Sequence, residues 1–272
     1  MEQAKIYNSI QKLTYLSILC FLLTIQASAQ SDWRSWDGLR VKAPLTKKLD
    51  ATLGHLRTYS MTNGFSNSFN QTKIDLTYDI NKKWDVEGGV LFMTTPNSNT
   101  KTSRFYVEVI HKSKLGKKIA WYNQIHAEIN SASETRFRER IVLSTRLGLR
   151  KRLDFLNLSP SIGYSLYYNI GGSLVQYYDQ NLQPVALQSP DGFHRGRFIL
   201  NLNSKINKHV SVSLYYLSQH EFNFITGPYH EMNYFDPIKS KIRKGFSDYK
   251  AIGLTLTITI GKDGNKPLLA ND

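Results

Sequence analysis

Cysteine is all but missing from this 272-residue chain, Cys20 being its only one. That residue lies in a leader the mature protein is expected to lose, so neither disulfides nor thiolate chemistry can hold or run the folded molecule. Long apolar runs are as scarce. After Leu13–Ile25 no stretch of about eighteen apolar residues follows, which excludes a bundle of membrane helices. Acidic residues are few beside basic ones, 21 against 35, which leaves a formal net charge of +14 and a sequence pI near 9.7. Such a balance invites a nucleic-acid partner, but a basic surface without a recognition motif does not make one, and none is expected. Gly-rich phosphate loops, Walker-type sequences and zinc-ligand spacings are also missing, so no cofactor or metal is expected.

What the chain does have is alternation. From Thr135 to Leu153 every second residue gives Arg136, Arg138, Arg140, Val142, Ser144, Arg146, Gly148 and Arg150; the residues between are Phe137, Glu139, Ile141, Leu143, Thr145, Leu147 and Leu149. A period of two places cations on one face of a strand and aliphatic groups on the other. With the aliphatic face in a soluble core, the arginine face would be open surface along a strand of about fifteen residues, roughly three times the usual length. A transmembrane β-barrel inverts the arrangement: aliphatic residues face lipid, polar ones line the lumen, and about nine to eleven residues suffice to cross. Ile141–Leu149 covers that span. A mean hydropathy of −0.37 with 16 Tyr, 13 Phe and 4 Trp suits such a barrel, whose alternation hides from hydropathy averages and whose rims carry aromatic girdles.

Residues 1–29 read as a secretory signal peptide, with Lys5 and Lys12, the run Leu13–Ile25, and Ala27-Ser28-Ala29 before a cleavage near Ala29. Residues 30–260 read as the barrel and residues 261–272 as a polar tail. Short basic turns (Leu45–Lys48, Asn81–Lys83, Ser113–Lys118, Arg150–Asp154, Asn207-Lys208) alternate with longer connections (Met61–Asn70, Pro96–Thr102, Ser131–Glu134, Gly171–Pro190, Glu221–Lys244). Outer-membrane barrels are built this way, with the short turns periplasmic. Trp84 and Trp121 each follow a basic turn and are expected in the inner aromatic girdle, Tyr168 and Tyr216 in the outer one. The last strand, Phe246–Ile260, alternates most cleanly and resembles a recognition signal for the barrel-assembly machinery. About eleven extended segments can be counted. Bacterial barrels close with an even number, so the expected fold is an antiparallel up-and-down transmembrane β-barrel of twelve strands, with ten as the next choice.

The signal peptide, the early Trp33 and Trp36, the strand Leu49–Tyr59 containing Arg57, and Arg136-Phe137-Arg138-Glu139-Arg140 together resemble the outer-membrane β-barrel family of Gram-negative bacteria known as the domain of unknown function two-four-nine-zero. The resemblance implies a fold and an outer-membrane location but no activity and no catalytic residues.

In such a barrel Arg136, Arg138, Arg140, Arg146, Arg150, Arg195 and Arg197 should line the lumen, with Asp85, Glu87, Glu108 and Glu128 as candidate partners. Either the arginines attract anions into a narrow channel or they form a charge network that fills a small barrel. The expectation is a non-enzymatic barrel, channel or scaffold, whose partners are outer-membrane lipid, lipopolysaccharide and, during biogenesis, the assembly machinery. A lipid-modifying enzyme of the lipase or lipid A deacylase type is the alternative. Its best candidate, His209-Val210-Ser211, puts both side chains on one face but adjoins a basic turn, with no acidic residue nearby in sequence to orient the His. His220-Glu221 and His230-Glu231 lack a third ligand at metal spacing. A secreted soluble β-protein is the second alternative; it explains the alternation but not the placement of the tryptophans.

Overall fold

The computed structural model describes residues 32–62, 64–96, 99–224 and 226–261. The expected signal peptide and the tail from residue 262 onward lie outside the described residues. Eleven strands form one closed barrel: β1 (Asp32–Pro44), β2 (Leu49–Ser60), β3 (Ser66–Asp79), β4 (Trp84–Thr95), β5 (Thr100–Leu115), β6 (Ile119–Asn130), β7 (Glu139–Leu149), β8 (Leu158–Ile170), β11 (Gly192–Lys205), β12 (Val210–Phe224) and β15 (Tyr249–Thr259). Two small antiparallel hairpins stand apart from it, β9 (Val175–Tyr178) with β10 (Pro184–Gln188) and β13 (Tyr234–Asp236) with β14 (Lys241–Arg243).

The expected twelve strands are therefore corrected to eleven. The connection Glu221–Lys244 pairs with itself as β13–β14 instead of adding a strand, and β1 is a single strand. An odd ring cannot alternate direction all the way round, so one join must be parallel. That join is β1 with β15, in register from Asp32↔Tyr249 to Lys42↔Thr259; the other joins are antiparallel.

Three of the short turns share one local device. A side-chain oxygen just after a strand accepts from the backbone N–H groups opening the next: Thr46 Oγ1 from Lys48 and Leu49, Asn81 Oδ1 from Lys83 and Trp84, Asn207 Oδ1 from His209 and Val210. Such residues compete with the ladder for backbone partners and so end strands. All these turns sit on one rim. The longer connections, the two hairpins and the start of β1 sit on the other.

Across the strands the alternation sorts as its period requires. On β7, Arg140 and Val142 are buried inside while Ile141 and Leu143 are exposed outside. Leu53, Ile74, Phe105, Ile125, Ile252 and Leu254 continue this outward apolar ring, each 48–67% exposed. The apolar part of the interior is small: Trp36, Leu217, Tyr249 and Ala251, with Leu56, Phe69 and Tyr215 against them. Tyr106, Phe137 and Val142 are buried elsewhere in it, and much of the remaining inward surface is polar.

Candidate functional site

Inward side chains enclose a lumen of about 1100 Å³. Among the described residues its charged lining is Arg34, Arg40, Lys73, Arg104, Arg136, Arg140, Arg146, Arg195 and Arg197, with no Asp or Glu in the wall. Hydroxyl and amide groups complete it, including Ser144, Ser161, Ser165, Asn201, Asn203, Ser213 and Thr255.

Carboxylates hold these cations from behind. Arg140 Nη2 lies 2.6 Å from Glu128, Arg195 Nε donates to Glu221 at 2.7 Å, Lys73 Nζ donates to Glu87 at 2.7 Å, and Arg136 Nη2 donates to Glu134 at 2.6 Å. His126 lies between Glu108 and Glu128, 3.2 Å from each. Arg197 is different. Its guanidinium donates to Gln219 Oε1 at 2.7 Å, Tyr167 Oη at 3.2 Å and Tyr249 Oη at 3.0 Å. Neutral acceptors hold the group in place without cancelling its charge, so its field reaches the lumen.

Aromatic rings brace the arginines on the long-connection side. Arg140 stands 4.6 Å from the Phe137 ring centroid and 5.2 Å from that of Tyr167; Arg195 stands 4.1 Å from Phe246, and Arg34 4.1 Å from Tyr249. Phe137 and Phe246, from two different connections, stack at 6.1 Å. Lys244 donates to the carbonyl of Thr135, which latches the same two connections together. Guanidinium faces stack on ring faces in this way because the ring's negative quadrupole attracts the cation.

Of the arginines expected in the lumen, Arg140, Arg146, Arg195 and Arg197 point in from strands, and Arg136 reaches the cavity from a connection. Two expectations are corrected. Arg138 is exposed and precedes β7: the chain bends there, although its backbone still bonds to Asn130 and Ile170, and Phe137, fully buried, takes the inward place. Arg150 lies in the short turn after β7, where it donates to the carbonyl of Lys117. Of the expected acidic partners, Glu128 meets Arg140, whereas Glu87 meets Lys73, Asp85 meets Lys112 and Glu108 meets His126. Glu221, Glu134, Tyr167 and Tyr249 were not foreseen. Lys73 was legible on the polar face of β3, opposite Ile74 and Leu76.

Trp84 and Trp121 are on the outer face beside short turns, and Trp121 Nε1 donates to Thr145 at 2.7 Å. Tyr168 packs on Phe193 at 5.0 Å and Tyr216 on Trp33 at 6.3 Å. Tyr216 stands halfway along β12, not near its end, because β12 runs on to Phe224. His209 shares its Nδ1 with the carbonyl of Thr259 at the short-turn rim. His220 lies 3.0 Å from Ser218 Oγ through Nε2 and 3.6 Å from Asp248 through Nδ1. His230 is tied to the carbonyl of Ser189 at 2.8 Å.

The family described as "Protein of unknown function (DUF2490)" matches residues 33–229 of the chain. No curated protein sequence matches it. Several solved structures are similar to it, two of them as follows. One is the NanC porin in a rhombohedral crystal form, at 11% identity over 69% of this chain and 85% of that one, with a TM-score of 0.42. The other is LpxR from Salmonella typhimurium, at 9% identity over 78% of this chain and 83% of that one, with a TM-score of 0.45.

Proposed function

The chain belongs to the family of proteins of unknown function DUF2490, and from that starting point we propose that it is an outer-membrane barrel whose lumen is an anion-attracting chamber, closed on the long-connection side. One observation carries the reading. The barrel that turns Ile141, Leu143, Ile252 and Leu254 outward also presents nine cations to its cavity, eight from strands and Arg136 from a connection, while their partners Glu87, Glu128 and Glu221 stay outside the cavity lining. A soluble protein would solvate the apolar ring at great cost, whereas hydrocarbon solvates it freely. Trp84 and Trp121 beside the short turns fit the inner girdle of such a barrel.

Inside, the chamber differs from an open pore. The Phe137–Phe246 stack and the arginines braced on it occupy the mouth under the long connections, while Ser and Asn side chains leave the remaining volume polar. Anions gather in such a space by the field of its wall. Among the described residues the lumen brings no nucleophile and base together, and its cationic wall suits binding, restricted passage or structural support. Expressed with its leader, the protein should fractionate with outer membrane and migrate faster on SDS gels before boiling than after. Recovery in the soluble periplasm without a heat-shifted band would reject the membrane reading.

A further inference from the structure

On the outer face of β12, away from the lumen, Ser218 and His220 project on the same side as Asp248, the residue before β15. Ser218 Oγ and His220 Nε2 are 3.0 Å apart. The other ring nitrogen, Nδ1, is 3.6 Å from Asp248 Oδ2. The second oxygen of Asp248 is fixed by the backbone N–H of Glu221, which donates to Oδ1 at 2.7 Å. A hydroxyl, an imidazole and a carboxylate so ordered form a nucleophile, a base and a group that orients the base. We propose that Ser218, His220 and Asp248 are a serine-hydrolase site that cleaves acyl esters of lipids lying along the outside of the barrel.

The surroundings fit that substrate class. Ser218 is 7% exposed, at the floor of the site, while the side chains of His220 and Asp248 are 62% and 59% exposed. Directly across from Ser218 are Phe198 on β11 and Lys250 on β15. Directly across from His220 is Gly196, which has no side chain; the Tyr164 hydroxyl and the Phe222 ring close in on that position. Trp33 and Tyr216 stand on the other side, with the Lys250 ammonium 5.8 Å from the Trp33 ring. Aromatic walls give an acyl chain an apolar bed, and a lysine beside the hydroxyl suits the developing oxyanion.

In the reaction Ser218 Oγ adds to the ester carbonyl carbon as its proton passes to His220 Nε2. Asp248 stabilises the imidazolium, and Lys250 faces the negative oxygen of the tetrahedral intermediate. Collapse breaks the bond to the alkoxy oxygen, which takes the proton from His220 and leaves as an alcohol. Water then adds to the acyl-serine, giving its proton to His220, and a second collapse frees the fatty acid and returns the proton to Ser218. Asp248 is a positioning residue in this scheme. The pair sought in the sequence, His209 and Ser211, takes no part, so this site revises the expectation of a barrel without enzymatic activity.

The lipid substrate rests on the membrane reading; the chemistry of the triad does not, and the test separates them. The folded protein, verified by its heat-shifted band, is treated with a fluorophosphonate probe and with a soluble short-chain p-nitrophenyl ester. It is also reconstituted in vesicles of phosphatidylethanolamine and phosphatidylglycerol, and released fatty acid is measured. Ser218→Ala should abolish labelling and hydrolysis, and Asp248→Asn should lower kcat by roughly 10²- to 10⁴-fold and change its pH profile. Ser211→Ala should change neither. A folded protein that is neither labelled nor active, or whose activity survives Ser218→Ala, overturns the triad. Cleavage of the soluble ester without release from vesicles overturns the lipid substrate. A water-soluble protein that still labels at Ser218 keeps the triad and loses the membrane.

Discussion

Arg140 on β7 and Glu128 on β6 face each other across one rung of the barrel, and their charged groups meet at 2.6 Å with both side chains 6% exposed. A pair this enclosed is costly to break from one side, because the survivor is left charged and desolvated. Glu128→Gln should destabilise the barrel by about 3–5 kcal/mol, read from urea unfolding or from the temperature at which the heat-shifted band disappears. Arg140→Ser should lower that temperature as well. A double change to Arg140→Met with Glu128→Leu should recover only part of the loss, because Arg104 and His126 still lose Glu128. Unchanged unfolding in both single variants would mean that the pair is solvated.

Conductance should report on the Phe137–Phe246 stack. The unmutated protein is expected to show little or no steady current in a planar bilayer. Replacing both rings with Ala should open an anion-selective conductance that weakens as salt rises, since the wall is cationic and salt screens it. A stable, ion-selective open state in the unmutated protein would contradict the closed chamber, and cation selectivity in the double variant would contradict the charge of its wall.

Acid should loosen the connection that carries Phe137. Burial pushes the Glu134 carboxyl up, but the hydrogen bonds and charge of Arg136 outweigh it and hold the group below the ordinary carboxylate value of 4.5. A group whose pKa is depressed on folding adds stability above its unfolded value, and that stability is lost as pH falls through the depressed folded value. The connection 131–138 should therefore be resistant to cleavage after Arg136 and Arg138 at neutral pH and become sensitive only below the ordinary carboxylate range, as acid-stable proteases would show. Glu134→Gln should make it sensitive at neutral pH.

Gly89 faces inward on β4 where a Cβ would come within 2.4 Å of the Ile74 carbonyl and 2.7 Å of the Tyr106 hydroxyl. The carbonyl belongs to the neighbouring strand and cannot swing aside. Gly89→Ala should lower the folded yield and cost about 1–3 kcal/mol as overpacking does, whereas Gly54→Ala, whose new methyl would meet nothing closer than 3.7 Å, should be tolerated. Equal behaviour of the two would remove the steric argument.

The alternation of β7, β12 and β15 was legible because a period of two is a local property, and one residue's face fixes its neighbours' faces. The same rule misled at Arg138. Extending the pattern backward assumed that the strand began there, but the chain bends at Arg136 and Arg138, before β7 begins at Glu139, and Phe137 stacks on Phe246, a contact between connections far apart in sequence. Partner choice was hidden for a similar reason. Arg195 finds Glu221 through the β11–β12 register, and register is a matter of which strands meet. Tyr216 and the strand number failed on element ends. The Ser218–His220 spacing was in plain view, but the carboxylate beside it, Asp248, stands just before β15 and arrives through the β12–β15 pairing.

The parallel join of β1 and β15 also sets the order of assembly. Every antiparallel join unites strands that follow one another along the barrel chain, so each can form as soon as its second strand arrives. The seam unites the first barrel strand with the last. It can close only when all the others are in place, and the entropy of bringing such distant segments together falls on that single step. Slanted parallel rungs are also slightly weaker per residue than antiparallel ones. The seam should thus be the last line to zip during folding and the first to exchange its amide hydrogens on warming, and the barrel should breathe there, along Arg34 to Lys42, before it opens anywhere else.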